Sequence, residues 1–152
     1  FYKGDFKMKK IIFFAFFLFA GILYSQKQKA QGSEIEIIEP WARAAKAGMN
    51  TAVYMKIKNN SNVSDTLISV ECSIAEISEI HEVFKRGEKM GMRKIDYLEI
   101  PANSFQELKP KSTHIMLIKL KDNIQDKNYI ELDLNFKRNG KIKIQSAVMK
   151  MK

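Results

Sequence analysis

Apolar and polar residues alternate with a period of two through most of residues 34–148, and no stretch of 11 or more residues carries a 3.6-residue period. "TAVYMKIKN" (51–59) sets Val53, Met55 and Ile57 on one face, and "YIELDLNF" (129–136) and "KIKIQSAV" (141–148) repeat the pattern. Successive side chains on a strand point to opposite faces, so this text buries one face of each strand and wets the other. Further short runs between residues 34 and 120 read the same way, giving about nine strands in roughly 120 residues. The turns agree: "RGE" (86–88) separates the runs at 75–85 and 89–95, and Asn139-Gly140 marks the tip between 129–136 and 141–148. The expected fold is all-β, an antiparallel sandwich or barrel with Greek-key links. The first run, 34–39, alternates up to Pro40, and Trp41 is expected as a core or end plug.

The start of the chain follows a different rule. From Met8, "MKKIIFFAFFLFAGILYSQ" has a lysine pair, thirteen apolar residues from Ile11 to Leu23, and polar residues from Ser25. That order is a secretory signal peptide, and the apolar run is shorter than the ~20 residues a membrane span needs. Cleavage is expected near Ser25, with Ala30 as the alternative. Residues 1–25 are then leader and signal peptide, and 26–152 form one domain with a sizeable core. No stable membrane insertion is expected after cleavage, and no cysteine near the cleavage point suggests a lipid anchor.

Removing residues 1–25 takes away four Lys/Arg and one Asp, leaving 22 basic and 16 acidic residues and a net charge near +6. The lysines are spread over polar strand positions, so the charge reads as a solvated exterior, with no nucleic-acid partner expected in an exported protein. The only cysteine of the sequence, Cys72, cannot form an internal disulfide and reads as a buried strand residue.

Metal chemistry outside the cytoplasm would therefore run largely without thiolates. The two histidines, His81 and His114, each have methionines nearby. In "THIMLIKL" (113–120) the alternation puts His114 and Met116 on one face, about 6.6 Å apart along the strand, so both can lean toward a common point. His81 lies on the first arm of the 75–95 hairpin, with Met90 and Met92 on the returning arm. Two imidazoles and two thioethers form a neutral, soft set suited to Cu(I) and poorly suited to Zn(II) or Mg(II). Core packing by methionine and a surface or hydrogen-bonded histidine remain the alternative reading of these residues.

Residues 41–148 resemble the periplasmic copper chaperone family called PCu(A)C. The resemblance rests on "WARA" (41–44), "EIHE" (79–82), "MGMRKI" (90–95), "LEIPANSFQELKP" (98–110) and "HIMLIKLK" (114–121). It rests also on spacing: Met92 is followed by 21 residues and then His114-Ile115-Met116, as in the family's pattern. Ten residues separate His81 from Met92, one fewer than in the fuller family pattern, and Glu82 stands where methionine often follows the histidine. The resemblance implies a cupredoxin-like β-sandwich in the periplasm that binds Cu(I) through His81, Met92, His114 and Met116, with Met90 in reserve. It also implies delivery to the copper centre of cytochrome c oxidase subunit II, alongside Sco-type thioredoxin-fold proteins.

Two other roles share these features: a copper-tolerance or storage protein, and an electron-transfer cupredoxin. The second needs a cysteine thiolate with two histidines, and Cys72 lies nine residues before His81 and outside any late Cys-His-Met loop. An enzyme is not expected, since no nucleophile motif lies near a histidine and no phosphate-binding loop occurs.

Overall fold

A computed structural model describes residues 34–150. The expected leader and its cleavage point lie outside these residues. The described chain forms ten strands: β1 (Ile35–Arg43), β2 (Thr51–Asn59), β3 (Asp65–Glu71), β4 (Ala75–Arg86) and β5 (Lys89–Ile95), then β6 (Leu98–Ile100), β7 (Ser104–Leu108), β8 (His114–Leu120), β9 (Tyr129–Phe136) and β10 (Gly140–Met149). The hydrogen-bonded order is β5-β4-β8-β2-β1-β10-β9-β3-β6, with β7 also on β2. All pairings are antiparallel except β1 with β10. The alternation therefore predicts the class correctly.

Two expectations near the start need correction. The first strand does not stop at Pro40. Its register with β2 shifts between Ile38 and Trp41, and Glu39 takes a positive φ of 48°. Such a bulge leaves residues unpaired, which accommodates a proline that has no N–H to offer. Past the bulge, Trp41 and Ala42 pair with Tyr54 and Val53 on one side and with Ala147 and Val148 on the other. Of the two places expected for Trp41, core or end plug, the core is excluded. Trp41 is half-buried, with its ring 4.5 Å from that of Tyr54.

One apolar cluster fills the interior, drawing Ile35 and Ile37 from β1, Ile57 from β2, Leu67 from β3, Leu132 and Leu134 from β9, and Ile142 and Ile144 from β10. From β8 it takes Ile115 and Leu117, both fully buried. Burying those two fixes the pleat of β8, because a one-residue slip would turn them outward. His114 and Met116 are consequently presented on the opposite face. The same face of β4 and β5 carries the other candidate ligands.

Asp65 ties the far end of the sandwich together. It is buried, and its carboxylate accepts hydrogen bonds from the N–H groups of Thr66 (2.7 Å), Arg138 (2.8 Å) and Asn139 (3.1 Å) and from the Asn139 amide (2.8 Å). Burial works to raise its pKa, but these hydrogen bonds outweigh burial and hold the carboxyl below its usual range. The β9–β10 turn, where Gly140 has φ 68°, is thereby pinned to the start of β3.

Candidate metal centre

The site is built by register. Residues directly opposite each other in an antiparallel pair project to the same face. On one edge of β4, His81 lies opposite His114, and Glu79 opposite Met116. On the other edge, His81 lies opposite Lys94, Val83 opposite Met92, and Lys85 opposite Met90. All five candidate ligands therefore occupy one face of three adjacent strands. His81 is central: it faces His114 directly and is diagonal to both Met92 and Met116. Diagonal neighbours stand about 7–8 Å apart, within reach of a side chain as long as methionine. The two imidazole centroids are 6.1 Å apart.

Each ring has one nitrogen already engaged. The Nδ1 of His114 lies 2.8 Å from the carbonyl oxygen of Ser112, which can only accept, so Nδ1 carries the proton and Nε2 keeps its lone pair. His81 shows the reverse arrangement. Its Nε2 lies 2.8 Å from Oε2 of Glu79. The hydrogen bond from His81 and the ammonium of Lys94, 3.2 Å from Oε1, hold the Glu79 carboxyl below its usual value. An ionised Glu79 can only accept, so Nε2 of His81 donates. The other nitrogen, Nδ1, is buried and has no partner. A buried lone pair without a partner is costly in a purely structural histidine, and a metal ion would satisfy it. Engaging the far nitrogen with a carboxylate or carbonyl is the usual way to orient a ligating imidazole.

Beside the rings lies a cleft of about 630 Å³, lined among others by Met90, Met92, His114 and Met116. Met92 and Met90 are 58% and 61% exposed, Met116 is half-buried, and His114 is 4% exposed. The structure thus brings His114, Met116 and Met92 to one opening. His81 sits against His114 but does not line the cleft. Neither Met90 nor Met92 turns into the core, so both thioethers are open to the cleft. Among the described residues no group of three or more His, Cys, Asp or Glu is placed to hold a metal ion. Thioether sulfur, which this opening does hold, suits a soft monovalent cation.

Cys72 stays apart. It follows β3, is buried, donates to the carbonyl of Glu131 at 3.2 Å, and lines a separate recess with Glu71, Asp133 and Lys143. Burial pushes its thiol pKa up, which disfavours the thiolate a blue-copper site requires.

Four participants escaped the sequence reading. Glu79 was detectable in principle, since it precedes His81 by two and must share its face. Tyr54 packs its ring 6.2 Å from His114 and 4.5 Å from Trp41, so an aromatic row runs from β1 across β2 to the imidazoles. Burial raises the Tyr54 phenol pKa, with Arg43 partly offsetting it, so the ring stays neutral. Arg43 and Lys111 both line the cleft. These last three depend on pairings that no local pattern reveals.

The family described as "Putative lipoprotein LpqE-like" matches residues 35–148. A relative from Leifsonia xyli subsp. xyli, "Putative lipoprotein Lxx21020", is 29% identical over 113 residues, which are 74% of this chain and 68% of that protein. Among solved structures, the copper-bound PCuAC domain from PmoF2 has a TM-score of 0.67 at 23% identity, covering 78% of this chain and 95% of that one. The solution structure of CuI-DR1885 from Deinococcus radiodurans has a TM-score of 0.59 at 22% identity, covering 74% and 78%. The fold is that of PCuAC domains, the cupredoxin-like sandwich expected from the sequence.

Proposed function

The chain belongs to the LpqE-like family, and on that footing we propose that it is an exported carrier of Cu(I). The ion is held by His81, Met92, His114 and Met116, within a domain spanning residues 26–152 that follows a removable leader at 1–25. The arrangement of His81 opposite His114 and diagonal to both methionines is the observation that carries this reading. The unpartnered Nδ1 of His81 supports it. Fold likeness to the copper-bound PmoF2 domain and to CuI-DR1885 adds to it. The family and the relative are both described as "Putative lipoprotein", which accords with export.

The chemistry follows from the donors. His114 offers Nε2 and His81 offers Nδ1, each with its other nitrogen held by a fixed partner. Met92 and Met116 offer neutral sulfur. None of the four donors is anionic, so the cargo is held without a strong electrostatic trap. An exposed Met92 lets an acceptor displace donors one at a time. The acceptor in this reading is the copper centre of cytochrome c oxidase subunit II, served together with Sco-type proteins.

Competition titration of the apo protein with Cu(I) against bathocuproine disulfonate is the direct test. Wild type is expected to bind one ion, and His114→Ala with Met116→Ala to lose at least tenfold in affinity. Wild-type affinity indistinguishable from that of the double variant would sink the assignment.

A further inference from the structure

The lining of the cleft is cationic as well as apolar. Arg43 and Lys111 stand among its walls, no Asp or Glu does, and neither cation forms an ion pair among the described residues. The β4–β5 hairpin adds Lys85, Arg86 and Lys89 at its tip, also without ion pairs among the described residues, against Glu88 alone. The carboxylate beside His81 on this face is already committed: Glu79 is engaged by His81 and Lys94. A monovalent cation on neutral ligands adds one more positive charge that nothing in the lining offsets.

We infer that this cleft is the docking surface for an acidic protein segment that brings its own soft ligands to the cargo. The inference rests on the Cu(I)-carrier reading above and names the chemistry of its acceptor. Positive charge around a recess draws an anionic partner and raises its encounter rate by 10- to 1,000-fold at low ionic strength. The thioethers at the mouth give that segment an apolar floor and the first donors to displace. Loading strengthens the attraction by one charge, so docking favours the protein that has something to deliver. A recess of about 630 Å³ has room for the side chains of an inserted segment. In the transfer, two thiols of the acceptor lose protons to solvent as Cu–S bonds form and the Cu–N and Cu–S bonds here break. The copper stays Cu(I), and no electron moves.

The test uses three synthetic peptides, each with a pair of cysteines, flanked by glutamates, serines or lysines. The Cu(I)-loaded full domain is mixed with each peptide under reducing conditions, and transfer is followed by stopped flow. The expected ratio of glutamate-peptide to serine-peptide rates is about ten or more near 20 mM salt, falling toward one near 200 mM as screening sets in. The ratio should collapse in Arg43→Glu with Lys111→Glu, or in the milder Arg43→Gln with Lys111→Gln. Using a ratio within each variant cancels any change in copper affinity. Equal rates for the glutamate and serine peptides at low salt would overturn the inference. So would protection of Met92 from oxidation by anionic vesicles but not by the glutamate peptide, which would make the occupant a membrane. A wild type that fails to hold Cu(I) against the chelator defeats the carrier reading instead, before any peptide is added.

Discussion

Replacing Met92 with leucine should separate cargo binding from folding. Met92 is 58% exposed and sits on β5, an edge strand whose neighbour is β4. Removing its sulfur while keeping an aliphatic side chain alters little buried surface, so apo stability should change by no more than about 0.5 kcal/mol. Loss of one of four donors should weaken Cu(I) binding at least tenfold, about 1.4 kcal/mol. Met55 provides the mirror case. It is 3% exposed, opposite Leu108 in the β2–β7 pair and within the apolar cluster. A leucine there is close in volume but different in shape, so it should cost up to about 1.5 kcal/mol of stability and leave copper affinity within experimental error. Denaturant unfolding of the apo proteins gives the first quantity, and competition with bathocuproine disulfonate gives the second. Met90→Leu completes the set. If it weakens binding while Met92→Leu does not, the ligand lies two residues earlier. If neither does, sharing a face has been taken wrongly for sharing an ion.

Other outcomes follow from the surrounding polar contacts. Glu79→Ala removes the group that holds Nε2 of His81, and should weaken Cu(I) binding by about 10- to 100-fold while leaving the one-to-one stoichiometry, as read by the same competition assay. Asn59 is fully buried and spans Val63, Ile100 and Ser61 through three hydrogen bonds of 2.9, 3.1 and 3.0 Å; Asn59→Ala should cost about 2–3 kcal/mol in urea unfolding and leave metal affinity unchanged. Asp65 gives the pH dependence. Its folded pKa is depressed, so its contribution is present above the unfolded value near 3.9 and is lost as pH falls through the folded value. Asp65→Asn should therefore be less stable at pH 7 and show a flatter loss of stability on acidification below about pH 4 than wild type. Parallel acid limbs in the two proteins would remove Asp65 from the explanation.

Much of the sandwich was legible because strand formation is written locally. The alternation in residues 129–136 and 141–148, with Asn139-Gly140 between, predicts β9, β10 and their turn with small shifts of boundary. Where the sequence misled, the deciding contacts lay far away. Pro40 looks like a stop, but the bulge at Glu39 carries β1 onward to pair in parallel with β10, more than 100 residues later. Trp41 follows that detour to a place beside Tyr54. The candidate ligands show the same division. His114 and Met116 share a face by simple alternation, and His81 reaches Met92 through a short hairpin. Only the β4–β8 register brings the two halves together, and it is set by core residues such as Ile80 and Ile115. The carbonyl of Ser112 leaves no mark in a sequence at all.

The β4–β5 hairpin also imposes an order in time. Its pairs, counted from the turn, run Arg86↔Lys89, Lys85↔Met90, Phe84↔Gly91, Val83↔Met92, and His81↔Lys94 lies two pairs deeper. β8 pairs β4 only as far as His81, so these four outer pairs have no third strand beside them, and local opening of such a segment costs far less than global unfolding. Local opening of this outer part of the hairpin would carry Met92 away from the imidazoles while His81, His114 and Met116 stay held by the β4–β8 pairing. The first bond to break on release and the last to form on capture would then be the same one. Its rate would be set by how often the end of one hairpin opens.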